Sequence, residues 1–353
     1  MATTRITKNS NSTTPPATAQ DAESKLQDLL GAEVVFPEAN KEGEPGQSRF
    51  MRLYEESRAM EMEDARKAGT VGFMARAMVM ATLPYKEPKN NPIAWGRRAG
   101  DISLMIQPGT YLEEVVTGAG RNKRIETVSR SMGYPYGSIP RLVVAWLSTE
   151  AVRTKSREIV LGDSLSQYMN AIGLDCKTGG RNGSITRLKD QQRRLFAARI
   201  ALSSDPKAID WSNKSFSLTD SSNIWWDPLN PQQSGLFQST VTLGEQFYEE
   251  LMSCPVPVDL RALKVLRTSP MALDLYVYLT YRNFALSRPV TVPWEALRLQ
   301  FGSEAATMTK FRESFRRALK QVQVVYPVKI DPDKKSGVVL FPSGPHVKSL
   351  PKA

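Results

Sequence analysis

Two stretches of the chain place cationic and planar side chains at helical spacing opposite an apolar stripe. In the first, residues 184–202, Ile185, Leu188, Leu195, Phe196 and Leu202 fall on one stripe and Arg187, Asp190, Gln191 and Arg194 on the other side. Residues 181–199 hold six Lys/Arg and one acid. In the second, residues 309–325, the stripe is Phe311, Phe315, Leu319, Val322 and Val325, flanked by Lys310, Arg312, Arg316, Arg317 and Lys320. Cations of this kind neutralise phosphates, and flat Arg and Gln groups hydrogen-bond to base edges. The expected DNA-binding set is Arg181, Arg187, Gln191, Arg194, Lys310, Arg312, Arg316, Arg317 and Lys320. Lys334 and Lys335, at the tip of a following hairpin, join it. Arg194, Arg316 and Arg317 are expected to face the DNA, and Arg193 to lie along the apolar stripe. One such helix alone reads more readily as an ordinary solvated amphipathic helix; its recurrence weighs against that.

Other chemistries lack their residues. The single histidine, His346, lies beyond the last expected strand, which excludes a His-based triad, a paired-His nuclease site and most zinc sites. Cys176 and Cys254 cannot form a disulfide framework or a four-ligand zinc site. The loop GAGRNK (118–123) lacks phosphate-loop spacing. Asp163, Asp190, Glu295 and Glu313 fall at helix caps or beside arginines and do not converge. We therefore expect no catalytic residue, no metal and no cofactor. The net charge is +11 over 353 residues, yet residues 1–70 carry 9 basic and 12 acidic side chains, so the excess belongs to the rest and favours a polyanionic partner. No run of 18 apolar residues exists and the N-terminus has no apolar segment, so the expectation is a cytoplasmic, reduced protein with no membrane contact.

The elements that must position these residues repeat. At an offset of 123, Thr186 meets Thr309, Leu188 meets Phe311 and Asp190 meets Glu313; at 132, Leu147 meets Leu279 and Val160 meets Val292. The loop around CKTGGRNG accounts for the difference. Each copy reads as helix, short strand, helix, long helix, hairpin, the order of a winged helix. The expected fold is α+β, mainly α: two tandem winged-helix domains with a disordered N-terminal tail. Its parts are 1–70 (disordered and acidic, with a solvated helix over 50–67), 71–132 (an extension with a buried run at 71–84 and a strand at 102–107), 133–230 (first winged helix), 238–345 (second) and 346–353 (tail). The first wing is read from FSL (216–218) and IWW (224–226), the second from VKI and VVLF around DPDKKSG. Asp163 is the expected cap of the second helix in the first copy, and Gly173 its end.

With these motifs in view, the sequence resembles the RepA-type plasmid replication initiators. The resemblance is carried by ATLPY (81–85), GYPYGSIPRLVVAWLSTEAVRTKSREIVLGDSLSQYMNAIGL (133–174), RLKDQQRRLFAA (187–198), and STVTLGEQFYEELMSCPVPVDLRAL with SPMALDLYVYLTYR (239–282). It covers roughly 80–345; the 109–132 insert looks longer than usual for the family. It implies binding to double-stranded DNA at repeated origin sequences (iterons), origin opening, control of copy number, a monomer–dimer equilibrium, and contacts with a host initiator and replicative helicase. A winged-helix transcriptional repressor is the alternative from the same helices. Gln233, Leu236 and Phe237 match the Q-x-x-L-F pattern of peptides that bind bacterial sliding clamps, a further expected partner; the same residues also read as a plain linker with its apolar pair packed inside.

Overall fold

The computed structural model describes residues 53–347, except 55, 59, 61–62, 81, 101, 119–122, 177–182, 205–212, 226–231, 234–237, 303–304 and 333–334. The described part of 53–60 is helical and buries Leu53, Tyr54, Ser57 and Met60. This corrects the expectation of a solvated segment: those residues recur at helical spacing and dock on the core, so part of the expected N-terminal tail belongs to the body.

Strand β1 (Val71–Ala75) leads into the short helix α1 (Arg76–Met80). Strands β2 (Trp95–Ala99) and β3 (Ile102–Gln107) follow, then the insert, a long hairpin of β4 (Thr110–Thr117) and β5 (Arg124–Ser131). The first repeated unit comprises α2 (Ser138–Thr154), β6 (Glu158–Val160), α3 (Leu165–Ala171) and α4 (Ser184–Ala197). Ser164, not Asp163, caps α3, accepting from the Gln167 backbone N–H, and Gly173 follows its end at φ 79, a conformation open to glycine. Strands β7 (Arg199–Ser204), β8 (Asn213–Ser217), β9 (Thr219–Asn223) and β10 (Thr240–Leu243) come next. After α5 (Glu245–Ser253), β11 (Pro255–Asp259) and α6 (Leu260–Leu266), the second unit comprises α7 (Pro270–Phe284), β12 (Val290–Pro293), α8 (Trp294–Phe301), α9 (Met308–Val325), β13 (Ile330–Asp331) and β14 (Gly337–Leu340).

The sheets repeat as the helices do. One has the order β6-β10-β9 and another β12-β14-β13, each with the short strand between the first two helices of its unit on one edge and a later strand at the centre. Gly337 permits the second: a Cβ there would lie 2.2 Å from the Val292 carbonyl oxygen, so only glycine lets β14 approach β12. In the first unit the pairing corrects two expectations. Among the described residues the hairpin expected at 216–226 is replaced by two other pairings, β9 with β10 and β8 with β7. Strand 239–243, expected to open the second domain, instead lies between β6 and β9, so the boundary at 230–238 cuts through a sheet. Leu202 is also not helical; it sits in β7, opposite Leu104 of β3.

Pairing across the halves is extensive. β1 runs antiparallel to β11, Val71 opposite Asp259 and Ala75 opposite Pro255. Helix α2 packs on β1 and on α7. Between α2 and α7 lies a buried ion pair: Arg141 Nε and Nη2 each donate to the Asp274 carboxylate at 2.8 Å. Its remaining N–H groups reach the carbonyls of Leu83, Pro84 and Gly137, so all five donors are used. Burial pushes the Asp274 carboxyl up, and Arg141 opposes that shift. His346, expected in a free tail, is docked: its Nδ1 lies 2.7 Å from Tyr276 Oη, and Val347 is buried beside it.

Candidate nucleic-acid interface

Helix α9 is amphipathic in the way its sequence suggests. Phe311, Phe315, Leu319, Val322 and Val325 are buried. Trp294, fully buried at the start of α8, meets Phe311 and Phe315 edge-on at ring separations of 6.3 and 5.5 Å. Thr307 caps the helix by accepting from the Lys310 backbone N–H. On the outer side Lys310, Glu313 and Arg317 are exposed and Lys320 half-buried. Arg312 and Arg316 differ from these: their guanidinium carbons lie 5.3 and 5.5 Å from the centre of the Trp294 ring. Arg312 Nη2 donates to the Lys335 carbonyl and Arg316 Nη2 to that of Pro332. These two arginines therefore tie the helix to the tip of the β13–β14 hairpin, beside which the Lys335 side chain is exposed. Lys334 lies outside the described residues.

Helix α4 departs from expectation on one side. Ile185, Leu188 and Leu195 are buried as the stripe requires, but Gln191 and Gln192 are buried too. Gln191 Oε1 accepts from the Tyr136 backbone N–H at 2.7 Å, which turns this expected base reader inward. Arg194 is also held in place: it pairs with Glu87 and with Asp190 (2.9 Å) and lies over the Tyr136 ring. Burial works against its charge, but hydrogen bonds and charge from Glu87 and Asp190 outweigh that and raise its pKa. The cause is local packing: residues 133–136 cover the side of α4 that a helical wheel leaves open. Arg193 moves the other way and is exposed, with Asp190 at 3.8 Å. The outward face of α4 is therefore Thr186, Arg187, Lys189 and Arg193. Lys189 is outside the expected DNA-binding set and Arg193 was expected along the apolar stripe, although Thr186, Lys189 and Arg193 are spaced i, i+3, i+7 on one face. Thr186, Lys189 and Arg193 of this face and β9, with Asp220, Ser221 and Ser222, border an open cleft. Arg157 pairs with Asp220 there. Arg181 lies outside the described residues.

The two long helices thus present comparable faces, Arg187, Lys189 and Arg193 on α4 and Lys310, Arg317 and Lys320 on α9. At an offset of 123 the buried positions coincide, Leu188 with Phe311 and Leu195 with Ala318. Helices α2 and α7 begin 132 residues apart, as do β6 and β12. Of the expected clamp-contacting residues, Gln233 is exposed, whereas Leu236 and Phe237 lie outside the described residues. No group of three His, Cys, Asp or Glu is placed to hold a metal among the described residues, and none of their helices is long and apolar enough to cross a membrane.

Residues 134–295 match the profile of the RepA_C family, described as plasmid-encoded RepA protein. That match bears out the resemblance to the RepA-type plasmid replication initiators. Two similar solved structures are of RctB. Selenomethionine derivatives of its domains 2 and 3 share 12% identity, covering 67% of this chain and 80% of that one, with a TM-score of 0.42. Its domains 2-3, residues 155–483, share 12% identity over 74% of this chain and 94% of that one, with a TM-score of 0.41. No curated protein matches.

Proposed function

We propose that this protein is a plasmid replication initiator that binds double-stranded DNA at origin repeats through two winged helices, each placing one long helix in a major groove. The observation that carries this is the duplication: helix, strand, helix, long helix and a three-stranded sheet occur twice, and both long helices turn cations outward. The RepA family match over 134–295 supports the replication role. In the second unit the β13–β14 hairpin acts as the wing, with Lys335 reaching flanking phosphates. In the first, β9 and β10 form it. Phosphate contacts set register, and the side chains on α4 and α9 read bases. Bound at its iterons, the protein opens the origin, recruits the host initiator and replicative helicase, contacts the sliding clamp and sets copy number. It acts in the cytoplasm, without catalysis or cofactor. The deciding experiment is transformation by a plasmid carrying the cognate origin, into hosts with and without this gene supplied in trans. Colonies only when the gene is present support an initiator; equal colony numbers, with repression of a linked promoter, identify a repressor.

A further inference from the structure

The β4–β5 hairpin is not used by either repeated unit. It pairs over its full length, from Thr110 opposite Ser131 to Thr117 opposite Arg124, yet almost every side chain on it is exposed or half-exposed. An isolated two-stranded ribbon is marginal on its own. Its two faces differ. One carries Tyr111, Glu113 and Arg130, with an ion pair of 2.8 Å between Glu113 and Arg130. The other carries Leu112, Val116 and Ile125, which are 73%, 60% and 71% exposed, with the exposed Glu114 between the first two. At the far end Lys123 and Arg124 are both exposed.

The root of this ribbon fixes where it points from. The Met132 N–H donates to the Gly109 carbonyl, closing the hairpin at its base. A Cβ on Gly109 would lie 2.5 Å from the Cβ of Ala197, the last residue of α4. Met132 itself borders the cleft between α4 and β9. The ribbon therefore leaves the body beside the nucleic-acid face of the first unit. Eight residues per strand give it a reach of about 27 Å.

We propose that this hairpin is a DNA-binding arm that lies in the minor groove beside the segment read by α4. The proposal rests on the DNA-binding reading above. Lys123 and Arg124 neutralise phosphates at the far end, in keeping with the positive charge of the folded part. Leu112, Val116 and Ile125 face the sugar walls and base edges, surfaces against which apolar side chains of architectural proteins pack. At about 3.4 Å per base pair the arm covers about eight pairs, all on one side of the site.

The test uses the full chain, a variant with Lys123→Glu and Arg124→Glu, and a second with Leu112→Ser, Val116→Ser and Ile125→Ser. The probe is a duplex selected by the full chain from a randomised library, used whole or trimmed on the α4 side. Hydroxyl-radical footprints and salt-dependent affinities are measured for each pair. Thermal unfolding shows that the variants remain folded. The expected result is that the native chain loses affinity about tenfold when the flank is trimmed, as two phosphate contacts are lost. Both variants should bind whole and trimmed probes alike, and the charge variant should show a salt slope lower by about two. Wild-type affinity, footprint and salt slope in both variants overturn the arm while leaving the DNA-binding reading intact. Conversion of a native dimer to a monomer by the three serines, with DNA binding unchanged, makes the face a protein interface and also overturns it. If the library yields no bound duplex, the arm and the DNA-binding reading fail together.

Discussion

At the residue scale, charge and accessibility separate side chains that the sequence shows as equals. Arg193 and Arg194 are adjacent arginines on one helix, but Arg193 is exposed and meets Asp190 only at 3.8 Å, whereas Arg194 is committed to Glu87 and Asp190. We expect Arg317→Ala and Arg193→Ala each to cost roughly 1–3 kcal/mol in specific DNA binding, with unchanged thermal unfolding. Arg194→Ala should show the opposite pattern, lowering stability with a smaller direct effect on base preference. Calorimetry and gel shifts on the same preparations separate the two. The Arg141–Asp274 pair makes a sharper prediction. Arg141→Met leaves a carboxylate buried without its partner and should cost about 3–5 kcal/mol in denaturant unfolding. Adding Asp274→Leu should restore most of the loss, because the uncompensated charge is gone. No recovery in the double variant would mean that the lost bonds to Leu83, Pro84 and Gly137 matter more than the charge.

At the element scale, the legible elements are those whose stabilising contacts are local. Helix α9 and the β13–β14 hairpin could be read because a strict helical stripe and a short turn specify them within a few residues. The β9–β10 pair could not: Thr240 meets Asn223 across a long connection, and its register is set by β6, far earlier in the chain. Gln191 turns inward for a related reason: its helix shows an open side in sequence that residues 133–136 then cover. The docked segment at His346 has a pH consequence. Tyr276 Oη accepts from the Asp259 backbone N–H, which leaves its own proton for His346 Nδ1 and suits a neutral imidazole. Burial pushes His346 below its ordinary value; Asp259 pulls upward and Arg261 downward. The unfolded chain therefore binds this proton more readily than the folded one. The contribution is complete above about pH 6.5 and is lost as pH falls through the depressed folded value. Unfolding midpoints followed from neutral to mildly acid pH should fall, and His346→Gln should flatten that part of the profile.

At the scale of the whole molecule, the halves are held together by β1 on β11 and by α2 against α7, so little freedom remains between the two long helices. Successive major grooves on one face of DNA are about 10–10.5 base pairs apart. One molecule should therefore protect about 20 base pairs without needing an inverted repeat. The half-sites should differ, because the exposed sets differ: Arg187, Lys189 and Arg193 on one helix, Lys310 and Arg317 on the other. Footprinting of the monomer on a single repeat checks this, and protection confined to one groove would contradict it.

The position of β10 also governs how the chain is made. Emerging from the ribosome, residues 133–230 contain every helix of the first unit but lack the strand that belongs between β6 and β9. Until residue 243 is out, both strands present unpaired edges, and until residue 259 is out β1 has no partner. The nascent first unit must wait for the start of the second, so a fragment ending at residue 230 should aggregate during synthesis more readily than the full chain.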